Sequence, residues 1–186
     1  MDEKQVVTSI RQILMAIGEN KEREGLKDTP KRVAKMYKEI FRGYDLKQKP
    51  KIIIFSNGKD NVTYDQLITD RGNFCSFCEH HMLPFFGQYF FGYIPDKKIM
   101  GLSKVARIVD FYSAKFQIQE RLVKEIADEI EKAVKPKGLG VFMIATHLCK
   151  QIRGVKKEGV MTTCDLRGCF RTNEKTRDEF LLFTRN

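Results

Sequence analysis

Cys75-Ser76-Phe77-Cys78-Glu79-His80-His81-Met82-Leu83-Pro84-Phe85-Phe86-Gly87-Gln88-Tyr89-Phe90-Phe91-Gly92-Tyr93-Ile94-Pro95 is the stretch from which the fold is read. Its second half, Phe85 to Ile94, is aromatic and glycine-containing and stops at Pro95, which suits a strand leaving a loop centred on Pro84. Upstream, from Lys51, the pattern is one of short apolar runs separated by turn residues: Ile52 to Phe55, then Ser56-Asn57-Gly58, then Leu67 to Phe74. Strands are the natural reading there too. Downstream, Leu139 to Cys149 and Val160 to Phe170 supply two more strand candidates.

Helical spacing occupies the rest of the chain. Val6, Val7, Ile10, Ile13, Leu14 and Ile17 form one amphipathic stripe that stops at Gly18. Thr29-Pro30 offers a cap and a first-turn proline for a second, carrying Val33, Met36, Tyr37, Ile40 and Phe41 and ending near Gly43. Leu102 to Tyr112 reads as a third helix, and Leu122, Val123, Ile126, Ala127, Ile130 and Val134 as a fourth, stopped by Lys135-Pro136-Lys137-Gly138. Lys175 to Thr184 closes the chain as a fifth. No internal repeat and no low-complexity linker divides these segments, so one compact unit is expected from 186 residues.

Apolar residues make up 42% and charged residues 31%, a composition that folds rather than stays disordered. The longest apolar runs are too short to span a bilayer and the start is polar, which points to a cytoplasmic protein with no membrane partner. The 34 Lys and Arg against 24 Asp and Glu give a formal charge of +10, suited to an anionic partner. No arginine-rich tail, helix-turn-helix or RNP-like signature accompanies that charge, so nucleic acid gains no support. Five cysteines, an odd number, argue for reduced thiols or metal ligands over a disulfide framework.

All three histidines lie within two residues of a cysteine. In Cys78-Glu79-His80-His81 the cysteine and the second histidine are three apart and can turn inward from one tight loop. In His147-Leu148-Cys149, read as strand, the two outer residues share a face. Cys78, His81 and Cys149 make three soft ligands for Zn²⁺, one per chain, with a fourth position left for water, whose pKa the metal lowers towards roughly 7. Adjacent residues do not easily aim at one point, which leaves His80, and with it His147, to move protons. The competing reading pairs Cys75 and Cys78 with Cys164 and Cys169 as a four-cysteine zinc knuckle, in a basic nucleic-acid-binding module.

The segments Ser76 to Phe85, Gly101 to Val109, Gln117 to Leu122, and Thr146 to Cys149 with Arg153-Gly154 occur in that order, bracketed by Asp28 to Tyr37 and Lys175 to Leu181. Together they closely resemble GTP cyclohydrolase I. The resemblance implies an α+β tunnelling fold: an antiparallel sheet with helices packed on one face, preceded by an N-terminal helical pair. It divides the chain into an N-terminal helical region, 1–48, and a catalytic domain, 49–186, that form one compact unit. It further implies a toroidal homodecamer with sites at subunit boundaries. The positions matching the family's zinc ligands are Cys78, His81 and Cys149, and those matching its proton carriers are His80 and His147, the assignment reached from spacing.

Other roles come from the resemblance alone. Glu120 matches the carboxylate that accepts hydrogen bonds from the guanine edge, helped by Gln119. Lys104, Arg107 and Arg153, with Arg32, match positions that hold the triphosphate, and Ser103 matches a residue near the ribose or triphosphate. Each has a plainer reading: Glu120 as a first-turn acid, Ser103 as a helix cap, and the cations as solvated surface. Glu79 reads as a partner that orients a histidine. The implied reaction is hydrolysis of GTP at guanine C8 with ring opening, loss of formate and recyclisation to 7,8-dihydroneopterin triphosphate, the first step of tetrahydrofolate or pterin biosynthesis. The segment Gly159 to Asp165 departs from the family's Ser/Thr-rich pattern and is a residue shorter. Cys75, Cys164 and Cys169 match no ligand position and are expected as buried thiols.

Overall fold

A computed structural model describes residues 1–185; Asn186, the last residue of the expected catalytic domain, lies outside them. Helices α1 (Glu3–Ala16) and α2 (Thr29–Ile40) come first and pack on each other as the expected helical pair. Asp2 caps α1, its side chain accepting from the Gln5 amide at 3.0 Å, and Pro30 sits in the first turn of α2, where its missing N–H costs nothing. Short strand β1 (Ile54–Ser56) pairs with β4 (Lys98–Met100).

The main sheet has the order β5-β2-β3-β6-β7. Strands β2 (Ile68–Cys78), β3 (Pro84–Ile94), β6 (Gly138–His147) and β7 (Val160–Gly168) are antiparallel neighbours, and the two-residue β5 (Phe116–Gln117) adds in parallel to β2 at Phe77 and Cys78. Period-two alternation sorts the side chains. Phe74, Phe85, Tyr89, Phe91, Leu139, Val141, Met143 and Ala145 face one side and are buried. Helices α3 (Ser103–Ser113) and α4 (Gln119–Val134) cover that side. In α4, Leu122, Ile126 and Ile130 recur every fourth residue and are fully buried, each contributing about 1.5–3 kcal/mol by burial.

The α+β class and the helix-covered antiparallel sheet are as expected, with one addition. Short α6 (Cys169–Thr172) and α7 (Glu174–Leu182) lie on the other side, at one end of the sheet. Phe180 seats over Gly92 and Gly140, where an added Cβ would come within 2.7 Å of its ring. The rest of that side carries Cys75, Phe86, Phe142, Ile144, Val160 and Cys164 without a helix above them.

Two of the differences from the sequence reading occur where a strand leaves the sheet. β6 stops at His147, the last residue paired with β3, and the chain turns into the short helix α5 (Leu148–Gln151), so Cys149 is helical rather than on a strand. β7 likewise stops at Gly168, whose positive φ of 57° redirects the chain into α6.

Candidate metal centre and proton carriers

β2 ends on Cys78, and the loop to β3 is closed by two backbone bonds of 2.8 Å: Cys78 N–H to the Leu83 carbonyl and Met82 N–H to the Cys78 carbonyl. Met82 adopts a left-handed φ of 56° to make that turn. The tight loop brings the Nδ1 atoms of His80 and His81 each to 3.8 Å from the Cys78 sulfur. From the neighbouring strand, β6 delivers His147 opposite Phe85, and the turn into α5 swings Cys149 towards the same point. Ligand atoms of Cys78, His81 and Cys149 all lie within 4.8 Å of one another.

The donor set fits zinc. Two thiols and an imidazole are soft ligands, and three of them leave a coordination position open. Burial, with the Cys78 thiol close by, pushes the Cys149 thiol above its ordinary pKa. A bound cation would favour the thiolate form of both cysteines. Cys78 is 6% exposed, so the site opens through the His80–His81 side of the loop, where both rings are exposed.

His147 is held by two contacts. Its ring stacks on Phe85 with centroids 4.6 Å apart and planes within 4°. Its Nε2 lies 2.8 Å from Gln119 Oε1. An amide oxygen only accepts, so Nε2 carries the hydrogen and Nδ1 is the free acceptor. The orientation of the Gln119 amide is itself fixed, because its NH₂ donates to the Met143 and Met161 carbonyls, both at 3.1 Å, and to Thr163 Oγ1 at 3.0 Å. Burial lowers the His147 pKa, partly opposed by the charge of Glu120, and so favours the neutral ring.

Gln119 is 1% exposed, and its amide is used up inside the protein, on His147 and the sheet. That arrangement was legible in outline: Gln119 falls on the apolar stripe of α4, three and seven residues before Leu122 and Ile126, where a polar side chain needs buried partners. Glu120 is exposed in the first turn of α4, close enough for its charge to act on His147. Its carboxylate is open to a ligand.

The expected triphosphate residues fall elsewhere. Ser103 and Lys104 open α3, and Arg107 is one turn on; Ser103 and Arg107 are exposed, and the Ser103 hydroxyl caps nothing. After α3, the chain enters β5 beside Cys78, so the C-terminal end of α3 is the end nearer the metal centre. The two ends of α3 are about 16 Å apart. Arg153 is exposed in the loop after α5, and Arg32 is exposed in the first turns of α2.

The four-cysteine alternative fails on strand geometry. Cys75 and Cys78 lie three apart on one strand, so their side chains leave opposite faces. Cys75 is exposed on the face that carries α6 and α7 at one end, and Cys78 is buried on the other. Cys164, opposite Phe142 on β7, is also exposed, and Cys169 is half-buried at the start of α6. The expectation of three buried thiols is corrected accordingly: Cys75 and Cys164 are exposed, on the part of the sheet face that α6 and α7 leave open.

Residues 6–185 match the sequence profile of the family described as GTP cyclohydrolase I. A GTP cyclohydrolase 1 of Caldanaerobacter subterraneus subsp. tengcongensis is 49% identical over 183 residues, covering 97% of this chain and 96% of that one. The corresponding proteins of Aquifex aeolicus, at 45% over 185 residues, and Wolinella succinogenes, at 42% over 184, cover 97% of this chain and 96% and 97% of their own length.

Proposed function

The chain belongs to the GTP cyclohydrolase I family, and from that premise we propose that Cys78, His81 and Cys149 hold the zinc ion with which it hydrolyses GTP. The observation that carries the assignment is the convergence of those three ligand atoms from two separate segments, beside two further histidines. When bound, the metal lowers the pKa of a coordinated water towards about 7 and so provides a nucleophile at neutral pH.

The chain's own groups do the rest. Glu120 accepts the two adjacent N–H donors of the guanine edge and so orients the base. His80, on the exposed side of the loop, gives a proton to the imidazole nitrogen of guanine as C8 is attacked and the ring opens. His147, held neutral with Nδ1 free, is placed to accept a proton during the second hydrolytic step, which releases formate. Gln119 serves this reaction by fixing the His147 tautomer rather than by touching the base. Sugar rearrangement and ring closure then give 7,8-dihydroneopterin triphosphate.

Lys104, Arg107, Arg153 and Arg32, with Ser103, anchor the triphosphate, whose binding energy would help to hold the guanine at the Cys78, His81 and Cys149 side of the site. Within one chain Lys104 and Arg107 stand in the N-terminal half of α3, whereas β5, which meets Cys78, follows its C-terminal end. That separation supports a site completed by a neighbouring subunit in a homo-oligomer, the family's decamer. Among the described residues no helix is long and apolar enough to cross a membrane.

Incubating the protein with GTP tests the function: formate and a product that oxidises to a fluorescent pterin are expected, abolished by a chelator and restored by zinc. Zinc-loaded protein that consumes no GTP would overturn it.

A further inference from the structure

Glu79 lies between the ligand Cys78 and the proton carrier His80, yet its carboxylate does not bond to either. Its Oε1 is 3.9 Å from His80 Nε2, beyond hydrogen-bond reach, and its Oε2 instead accepts from Nη2 of Arg121 on α4. Arg121 is anchored from behind. Its Nε donates to Gln117 Oε1 at 2.8 Å, and Nη2 also reaches the Phe116 carbonyl at 3.3 Å. Gln117 is fully buried, and its Nε2 donates to Glu125 Oε2 at 2.7 Å and to the Tyr112 carbonyl at 3.1 Å. Glu125 in turn pairs with Lys115 at 2.8 Å. The backbone follows the same route, since Gln117 sits beside Cys78 in the β2–β5 pairing and its carbonyl accepts from the Glu79 N–H at 3.1 Å.

A half-exposed ion pair such as Glu79–Arg121 contributes little to stability by itself. Its geometry is another matter. With Nε fixed by a buried amide, the guanidinium plane has one orientation, and the Glu79 carboxylate meets it in one place. The loop that presents Cys78, His80 and His81 is thereby tied, side chain and backbone, to the start of α4, the same turn that carries Gln119 and Glu120. We propose that the chain Glu79–Arg121–Gln117–Glu125 is a positioning device that holds the metal loop in register with the His147 and guanine-binding side of the site. The inference rests on Cys78, His81 and Cys149 being the zinc ligands, and Arg121 and Gln117 act in it only through Glu79.

The test follows zinc transfer from loaded full-length protein to a colorimetric chelator. Glu79→Gln, Arg121→Met and their double variant are compared with Lys124→Met, which removes an exposed α4 pair with Asp128 that has no path to the loop. Glu79→Gln and Arg121→Met are each expected to release zinc about tenfold faster, with kcat for GTP lowered to a similar degree, KM little changed and the melting temperature within about 3 °C. The double variant should be no worse than the more impaired single one, because both break one connection. Lys124→Met should match the parent. Wild-type zinc release in either single variant, or effects that multiply in the double, would overturn the proposal. If the parent binds zinc through these ligands but leaves GTP intact, the family reaction fails while the release rates still decide this inference.

Discussion

The two ends of α3 are built differently. Beside its C-terminal end, where β5 meets Cys78, one chain brings together the ligand atoms of Cys78, His81 and Cys149, with His147 anchored by Gln119. Towards its N-terminal end, Ser103 and Arg107 are exposed and Lys104 is half-buried. Bond-breaking chemistry tolerates little misplacement, so its residues are fixed by folding alone. Anchorage of a flexible, highly charged triphosphate can be assembled later, from a second surface. The bare face of the sheet, with Phe86 and Val160 exposed, is a further region that one chain leaves unfinished.

The sharpest way to break this contrast is at the metal end. Cys149→Ala should abolish zinc binding and pterin formation together, a loss of more than about a thousandfold, measured by metal analysis and product fluorescence. His80→Ala should keep the zinc and lose about 10²–10⁴-fold in kcat, which separates proton transfer from metal binding. If instead the zinc left with His80, that ring would be a ligand.

The anchorage end should respond more mildly and in a different parameter. Arg107→Ala should raise KM for GTP about tenfold while zinc content stays at one per chain, seen in steady-state kinetics. Mixing unfolded Cys149→Ala and Arg107→Ala chains and refolding them together should restore fully competent sites, about a quarter of the total if each site takes its metal from one subunit and its α3 from another. Sites confined to one chain would show no such recovery. Cys164→Ser, on the part of the sheet that α6 and α7 leave open, should leave zinc content and kcat unchanged, the smallest effect of the series.

Sequence periodicity located the long elements because each is specified by its own pattern: the stripe of Leu122, Ile126 and Ile130, and the aromatic run of β3. It missed β5, since two residues paired in parallel with Phe77 and Cys78 are defined by distant hydrogen bonds rather than by composition. His147-Leu148-Cys149 alternates like a strand, yet the strand's partner ends at Pro84 and Phe85, and an unpaired chain is free to coil into α5. Of the site, the three ligands were legible because sulfur and imidazole are scarce and clustered. The commitment of Gln119 to His147, and of Glu79 to Arg121, depended on which helix start lands beside the loop, which spacing does not encode.

X-ray absorption at the zinc edge of the loaded protein addresses the centre itself. Two sulfur scatterers at about 2.3 Å, with the remaining ligands nitrogen or oxygen near 2.0–2.1 Å, are the result expected from Cys78, Cys149, His81 and a water. A shell of four sulfurs, or one with none, would contradict it.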